Sequence, residues 1–214
     1  VKSGTTYYYT VKAYKGKKII NEVEGGAKLV MDETASKFTK DLYVGNLVWR
    51  DTSTKNNELI IGNEKNTASG KLSVAIGFDN NVEGENSIAV GSSNIVKGKQ
   101  SSAFGVRNQA SEIESTSVGY ANEAMGQYSS AIGHKNIVNK GANNSSAIGE
   151  DNIITSSKSI AFGRKNTVKS FSSSVVGTEN TIEANSGNSV AMGALNKVET
   201  EASNSIVSGR KNAV

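Results

Sequence analysis

Proline and cysteine are both absent from this 214-residue chain, and aromatic residues make up only 6% of it. Without cysteine there is neither a disulfide framework nor a thiolate metal site. With so few aromatics, a large aromatic-rich core is not expected. No run of 18 apolar residues occurs, so no segment reads as a membrane-spanning helix. No signal-peptide pattern opens the chain. Charge is also thin. The net value is +4 with a pI near 9.1, and the densest basic pairs are Lys17-Lys18 and Arg210-Lys211. Without a basic stripe or a set of stacking aromatics, nucleic-acid binding is not expected. His134 is the only histidine. It follows Gly133 in a turn slot that holds Phe78, Arg164 or Ala194 elsewhere, and it reads as a solvated turn residue. Catalytic acid-base pairs and histidine metal sites need partners that this chain lacks. Glu150-Asp151 occupies the same slot and reads as surface.

What the chain has is glycine, 22 of them, and ten fall in one register. Gly77, Gly91, Gly105, Gly119, Gly133, Gly149, Gly163, Gly177, Gly193 and Gly209 are spaced by 14 or 16 residues. Each closes the pattern Ser-x-Ala-x-Gly, then two free positions, Asn, one free position and a small aliphatic residue. Ser87-Ile88-Ala89-Val90-Gly91-Ser92-Ser93-Asn94-Ile95-Val96 is a clean copy. A fixed short period predicts a solenoid, whose stacked units bury a continuous core that no single unit could hold.

A coil of 14 residues has room for two short strands and two turns. Alternate strand residues face opposite sides, so Ser, Ala and Gly share one side and the two free positions share the other. The second free position is apolar in nine copies, from Ile76 and Val90 to Met192, with Ser208 the exception. Neither side is charged, as expected for strands buried on both faces. One face fits a thin core inside the coil, and the small one fits the close approach of another backbone. Ala75, Ala89, Ala103, Ala131, Ala147, Ala161 and Ala191 are therefore predicted to pack the core and a neighbouring chain. Glycine suits the turn after the strand. The asparagine three positions on suits a turn as well, and its amides could stack into a ladder from coil to coil. The aliphatic residue two further on, such as Val82 or Val96, closes the core from the second strand. The extra residues of the longer coils fall in the second turn, at 139–144, 183–188 and 199–204. Ten coils make a rod roughly 50 Å long at the usual strand spacing.

These repeats resemble the head repeats of trimeric autotransporter adhesins, the YadA-like head, whose pattern is close to Asn-Ser-Val-Ala-Ile-Gly. Asn86-Ser87-Ile88-Ala89-Val90-Gly91 and Asn188-Ser189-Val190-Ala191-Met192-Gly193 match it nearly letter for letter, and the resemblance spans residues 71–214. It implies an all-β fold, a left-handed parallel β-roll solenoid of 14–16-residue coils assembled as a homotrimer. It further implies a Gram-negative outer-membrane surface protein with a coiled-coil stalk and a β-barrel membrane anchor, adhering to host matrix or host-cell receptor proteins. Neck, stalk and anchor patterns are missing, and the chain ends on the last residue of a repeat without a cap. The expectation is a head fragment.

Residues 71–214 thus form the repeat domain. Residues 41–70 read as irregular opening coils, with Asp41-Leu42-Tyr43-Val44-Gly45 and Glu58-Leu59-Ile60-Ile61-Gly62 as degenerate copies. Residues 1–40 read as an N-terminal β cap. In it, Thr5 to Val11 and Lys18 to Val23 are strands and Lys15-Gly16-Lys17 is a turn, because an uncovered first coil would leave an open edge. Trp49, with Leu47 and Val48, is expected to pack in that cap.

Other chemistries leave no trace. There is no Gly-Lys-Ser/Thr phosphate loop, no Gly-x-Ser-x-Gly elbow and no calcium nonapeptide. No cofactor, metal site or catalytic residue is expected. Binding falls to positions the repeat leaves free: Phe78 and Tyr120 after the glycine, and Tyr128 and Phe171 in the second turn, since exposed aromatics anchor interfaces. The longer turns are further candidates. The leading expectation is a non-enzymatic adhesin head binding through its lateral surface. The runner-up is a structural spacer, and a solenoid acyltransferase is a distant third.

Overall fold

In the computed structural model of the protein, residues 58–62 and 65–214 are described in full, and seven strands between Thr6 and Arg50 by their backbone. Past residue 58 the chain alternates four- or five-residue strands with two-residue strands. The first pair is β8 (Leu59–Gly62) and β9 (Thr67–Ala68); the next is β10 (Val74–Phe78) and β11 (Asn81–Val82). The series runs on to β28 (Ile206–Arg210). Long strands pair in parallel only with long strands and short with short, giving two ladders and eleven rungs in the first. This is an all-β parallel solenoid, with no helix among the described residues.

Register follows the repeat. Gly77 lies opposite Gly62 on one side and Gly91 on the other. The column holds across the 16-residue coils, where Gly133 meets Gly149 and Gly193 meets Gly209. The additional residues are taken up in the second turn. Sequence length can therefore vary there without sliding a strand, which would turn every side chain to the wrong face.

The coil is thin, and its width decides which residues face inward. Ala75, Ala89, Ala103, Ala131, Ala147, Ala161 and Ala191 are completely buried, and so are the opposite-wall residues Val82, Val96, Val138, Ile154 and Val168. This corrects one expectation. The alanine side offers no surface to a neighbouring chain; it fills the coil's own interior, where the second strand's aliphatic residues meet it. The larger residues beside it, Phe104, Phe162, Val176 and Met192 among them, point outward and are exposed. A coil closed by two strands of one chain has no room for both sets.

Polar residues line the same interior, and most are bonded between coils; Ser117 and Ser129 bond within their own coil, and the Ser73 hydroxyl at the first repeat has no partner. The Asn94 backbone N–H and side-chain amide both donate to Asn80 Oδ1, at 3.1 and 2.9 Å. Its amide also donates to the Gly105 carbonyl of the next coil at 2.9 Å. The ladder runs unbroken from Asn66 to Asn212. Serine repeats the device at the opposite corner. Ser87 Oγ donates to the Gly98 carbonyl at 2.8 Å and accepts the Ser101 N–H at 3.0 Å. A buried amide is tolerable because every hydrogen-bonding group finds a partner.

The glycine column is where backbones meet most closely. Gly91 has φ of +123°, and a Cβ placed there would lie 2.0 Å from the Gly105 carbonyl oxygen. Both the conformation and the space admit only glycine.

The N-terminal edge is closed differently. Strand β7 (Leu47–Arg50) pairs antiparallel with β8, and β6 (Leu42–Val44) pairs antiparallel with β7. Residues 42–44 are thus a hairpin arm rather than a degenerate coil, while Leu59–Gly62 is a true rung, parallel to β10. An antiparallel strand ends a parallel ladder because it offers no crossover for a further coil. Within residues 1–40, β2 (Lys12–Lys15) and β3 (Lys18–Glu22) pair antiparallel; the turn expected between them lies outside the described residues. The strand expected over 5–11 is β1 (Thr6–Tyr9), which pairs with β4 (Ala27–Asp32). The Trp49 side chain lies outside the described residues.

Candidate binding surface

With asparagine, serine, alanine and glycine consumed by the interior, the exterior is left to three sets of side chains. The first is the outer face of the long ladder. It carries Val74, Ile76, Ile88 and Val90 at one end and Ile160, Phe162, Val176 and Met192 towards the other. Between them the first outward column turns polar, through Ser102, Thr116, Ser130 and Ser146, while the second stays apolar, through Phe104, Val118, Ile132 and Ile148. A continuous apolar column on a sheet face is a surface built to be covered.

The second set stands at the end of each long strand, just after the glycine and before the turn. The register places Phe78, Ser92, Val106, Tyr120, His134 and Glu150 on successive rungs. Tyr120 and His134 stack, with ring centroids 5.3 Å apart and planes 14° from parallel. Arg107 Nη1 donates to Tyr120 Oη at 3.3 Å, and His134 Nδ1 lies 3.9 Å from Glu150 Oε1. Lys65 sits 5.8 Å from the Phe78 ring centroid.

The third set stands in the second turn, where Leu72, Ile113, Tyr128 and Phe171 are exposed. Lys158 lies 5.2 Å from the Phe171 ring centroid. Ion pairs here are superficial: Lys99 with Glu85 at 3.2 Å, Lys169 with Glu183 at 2.8 Å, and Lys197 with Glu199 at 2.7 Å. The Glu199 carboxylate, hydrogen-bonded to Lys197, holds that ammonium's pKa above the ordinary lysine value.

The four aromatics singled out from the sequence do not converge. Phe78 and Tyr120 share a column but stand three rungs apart. Tyr128 and Phe171 belong to the second turn. The tightest aromatic contact among the described residues instead pairs Tyr120 with His134, the histidine read as a plain turn residue. The 14-residue spacing between them was the signal, since equal repeat positions become neighbours. Among the described residues no group of three histidine, cysteine or acidic side chains could hold a metal ion.

A thin parallel solenoid with a ladder-bonded polar interior leaves its variable residues on the turns and the outer face. The family model of the YadA head domain repeat matches residues 68–94, 97–122 and 124–152. Over residues 68–152 the chain is thus similar to YadA head domain repeats, and there it matches a YadA-like head of a trimeric autotransporter adhesin. No curated protein matches the sequence.

Proposed function

We propose that this chain is the non-enzymatic head of a trimeric adhesin, displayed on the outer-membrane surface of a Gram-negative cell. Three copies pack as left-handed β-rolls, and their lateral surface binds a host matrix or host-cell receptor protein. The observation that carries this reading is the separation of roles: the residues common to the repeats pack and bond within and between coils, and the large exposed side chains vary. The similarity of residues 68–152 to YadA head repeats adds weight, since YadA-like heads form homotrimers in general. The apolar outer column of the long ladder is the surface three chains would share.

The regular stacking of eleven rungs also fits a rod that only carries another binding domain away from the cell. One experiment separates the readings. The purified chain is sized by light scattering, where a mass three times 22.5 kDa is expected. It is then presented to matrix proteins and epithelial receptors. Saturable binding to one of them supports the head; a trimer that binds none favours the spacer.

A further inference from the structure

The second turns of the short coils close on one another. A Cβ on Gly84 would lie 2.0 Å from the Gly98 carbonyl oxygen, and one on Gly98 would lie 1.9 Å from that of Glu112. No ligand could enter there. The longer turn at 139–144 stays as close, with a Cβ on Gly126 placed 2.3 Å from the Ala142 carbonyl oxygen, but one position further out, beside the turn at 183–188, there is more room. A Cβ on Gly187 would have its nearest neighbour at 3.2 Å, the Phe171 carbonyl oxygen. An open concavity of about 380 Å³ lies there across four successive turns, at the small end of ligand pockets. Ser156, Ser170 and Ser203 line it with hydroxyl groups, Asn185 with an amide, Lys169 with an ammonium and Phe171 with a ring.

We propose that this concavity binds an uncharged saccharide. The inference rests on the reading of the rod as a binding head and gives that head a ligand class. The lining offers donors and acceptors beside one aromatic ring, which suits a ligand with many hydroxyl groups and an apolar face. Within the lining itself the charge is already spent, because Glu183 neutralises Lys169 at 2.8 Å; the Lys158 ammonium stands outside the lining, over one face of the Phe171 ring. Ser156 and Asn185 make no side-chain hydrogen bond among the described residues, so their polar groups are free for a ligand. Asn185 is held outward by a left-handed backbone, φ 58°. A peptide strand is the poorer occupant. The Phe171 and Gly187 carbonyls, which it would need, already accept N–H groups from Asn188 and Asn204, at 3.2 and 2.9 Å.

The test immobilises neutral oligosaccharides of the host glycoprotein type in one arm and neutral bacterial polysaccharide units in another. Charged saccharides and deglycosylated matrix proteins run alongside. The intact chain should bind neutral saccharides, and the arm it binds identifies their source. Phe171→Ala, which removes the ring, should weaken binding at least about tenfold. Ala184→Trp, which fills the concavity from an exposed turn position, should do the same with an unchanged circular dichroism spectrum. Binding that ignores both substitutions, or that is confined to charged saccharides, overturns the site. If deglycosylated proteins bind and no saccharide does, the site falls and the head reading stands. Silence in every arm removes both.

Discussion

Two columns of side chains run along the long ladder, one residue apart on every strand, and they obey different rules. The inner column reads Ala75, Ala89, Ala103, Ser117, Ala131, Ala147, Ala161, Val175, Ala191 and Val207, all buried. The outer column reads Ile76, Val90, Phe104, Val118, Ile132, Ile148, Phe162, Val176, Met192 and Ser208, none of them buried. The larger and more apolar residues are therefore outside, against the usual expectation for a soluble domain. Coil width explains it. The wall facing the inner column belongs to the same coil, so added volume has nowhere to relax. Outside, size is limited only by what covers the sheet.

The sharpest way to break this comparison is to place one charge on each side of a single peptide bond. Ala103→Arg puts a guanidinium where no side chain longer than valine or isoleucine is found, without a counter-charge. It should cost more than about 5 kcal/mol and abolish the folded state, read as loss of the β-sheet circular dichroism signal. Phe104→Arg should keep that signal and lose the threefold mass in light scattering. If Ala103→Arg folds and merely dissociates, the inner and outer assignments are reversed.

A smaller effect compares polar groups inside with polar groups outside. Asn94→Ala removes the amide that serves Asn80, Val90 and Gly105 and leaves buried carbonyl groups unpaired. It should cost about 2–4 kcal/mol, measured by chemical denaturation. Lys99→Ala opens an ion pair whose two side chains are both exposed, and should change stability by no more than about 1 kcal/mol. Equal effects would mean that the amide ladder is incidental to stability.

The same contrast explains what could be read in advance. Spacing alone placed every rung from Ser73 to Gly209, because a strand that slipped would expose its whole inner set. It placed the asparagine ladder too, since only a stacked coil brings Asn80 beside Asn94. Periodicity is silent about which side is inside, for both faces are uncharged. Small residues fit a contact between chains as well as the interior of a thin coil, and only closure of the coil decides. Leu42–Val44 misled for a related reason: a short apolar run ending in glycine has the composition of a rung, but pairing direction is not written in it. The stacking of Tyr120 on His134 was available from their common repeat position. The concavity beside Phe171 was not, since it arises from how unequal turns settle against each other.

The mildest prediction concerns the corner just before the interior serine, where every coil turns through a left-handed residue. Asn86, Asn144, Asn188 and Asn204 occupy it at φ between 55° and 60°, and asparagine tolerates that region. Tyr128 occupies it at φ 56° with its ring in the open, so the coil bears a strain that no interior contact repays. Tyr128→Asn should raise stability by about 0.5–1 kcal/mol, seen as a higher midpoint in thermal or denaturant melts. The substitution touches only the outside, so the interior ladders should be unaffected and the spectrum unchanged. A lower midpoint would show that the ring is packed in the assembled protein, and would move Tyr128 from the free surface to the contact between chains.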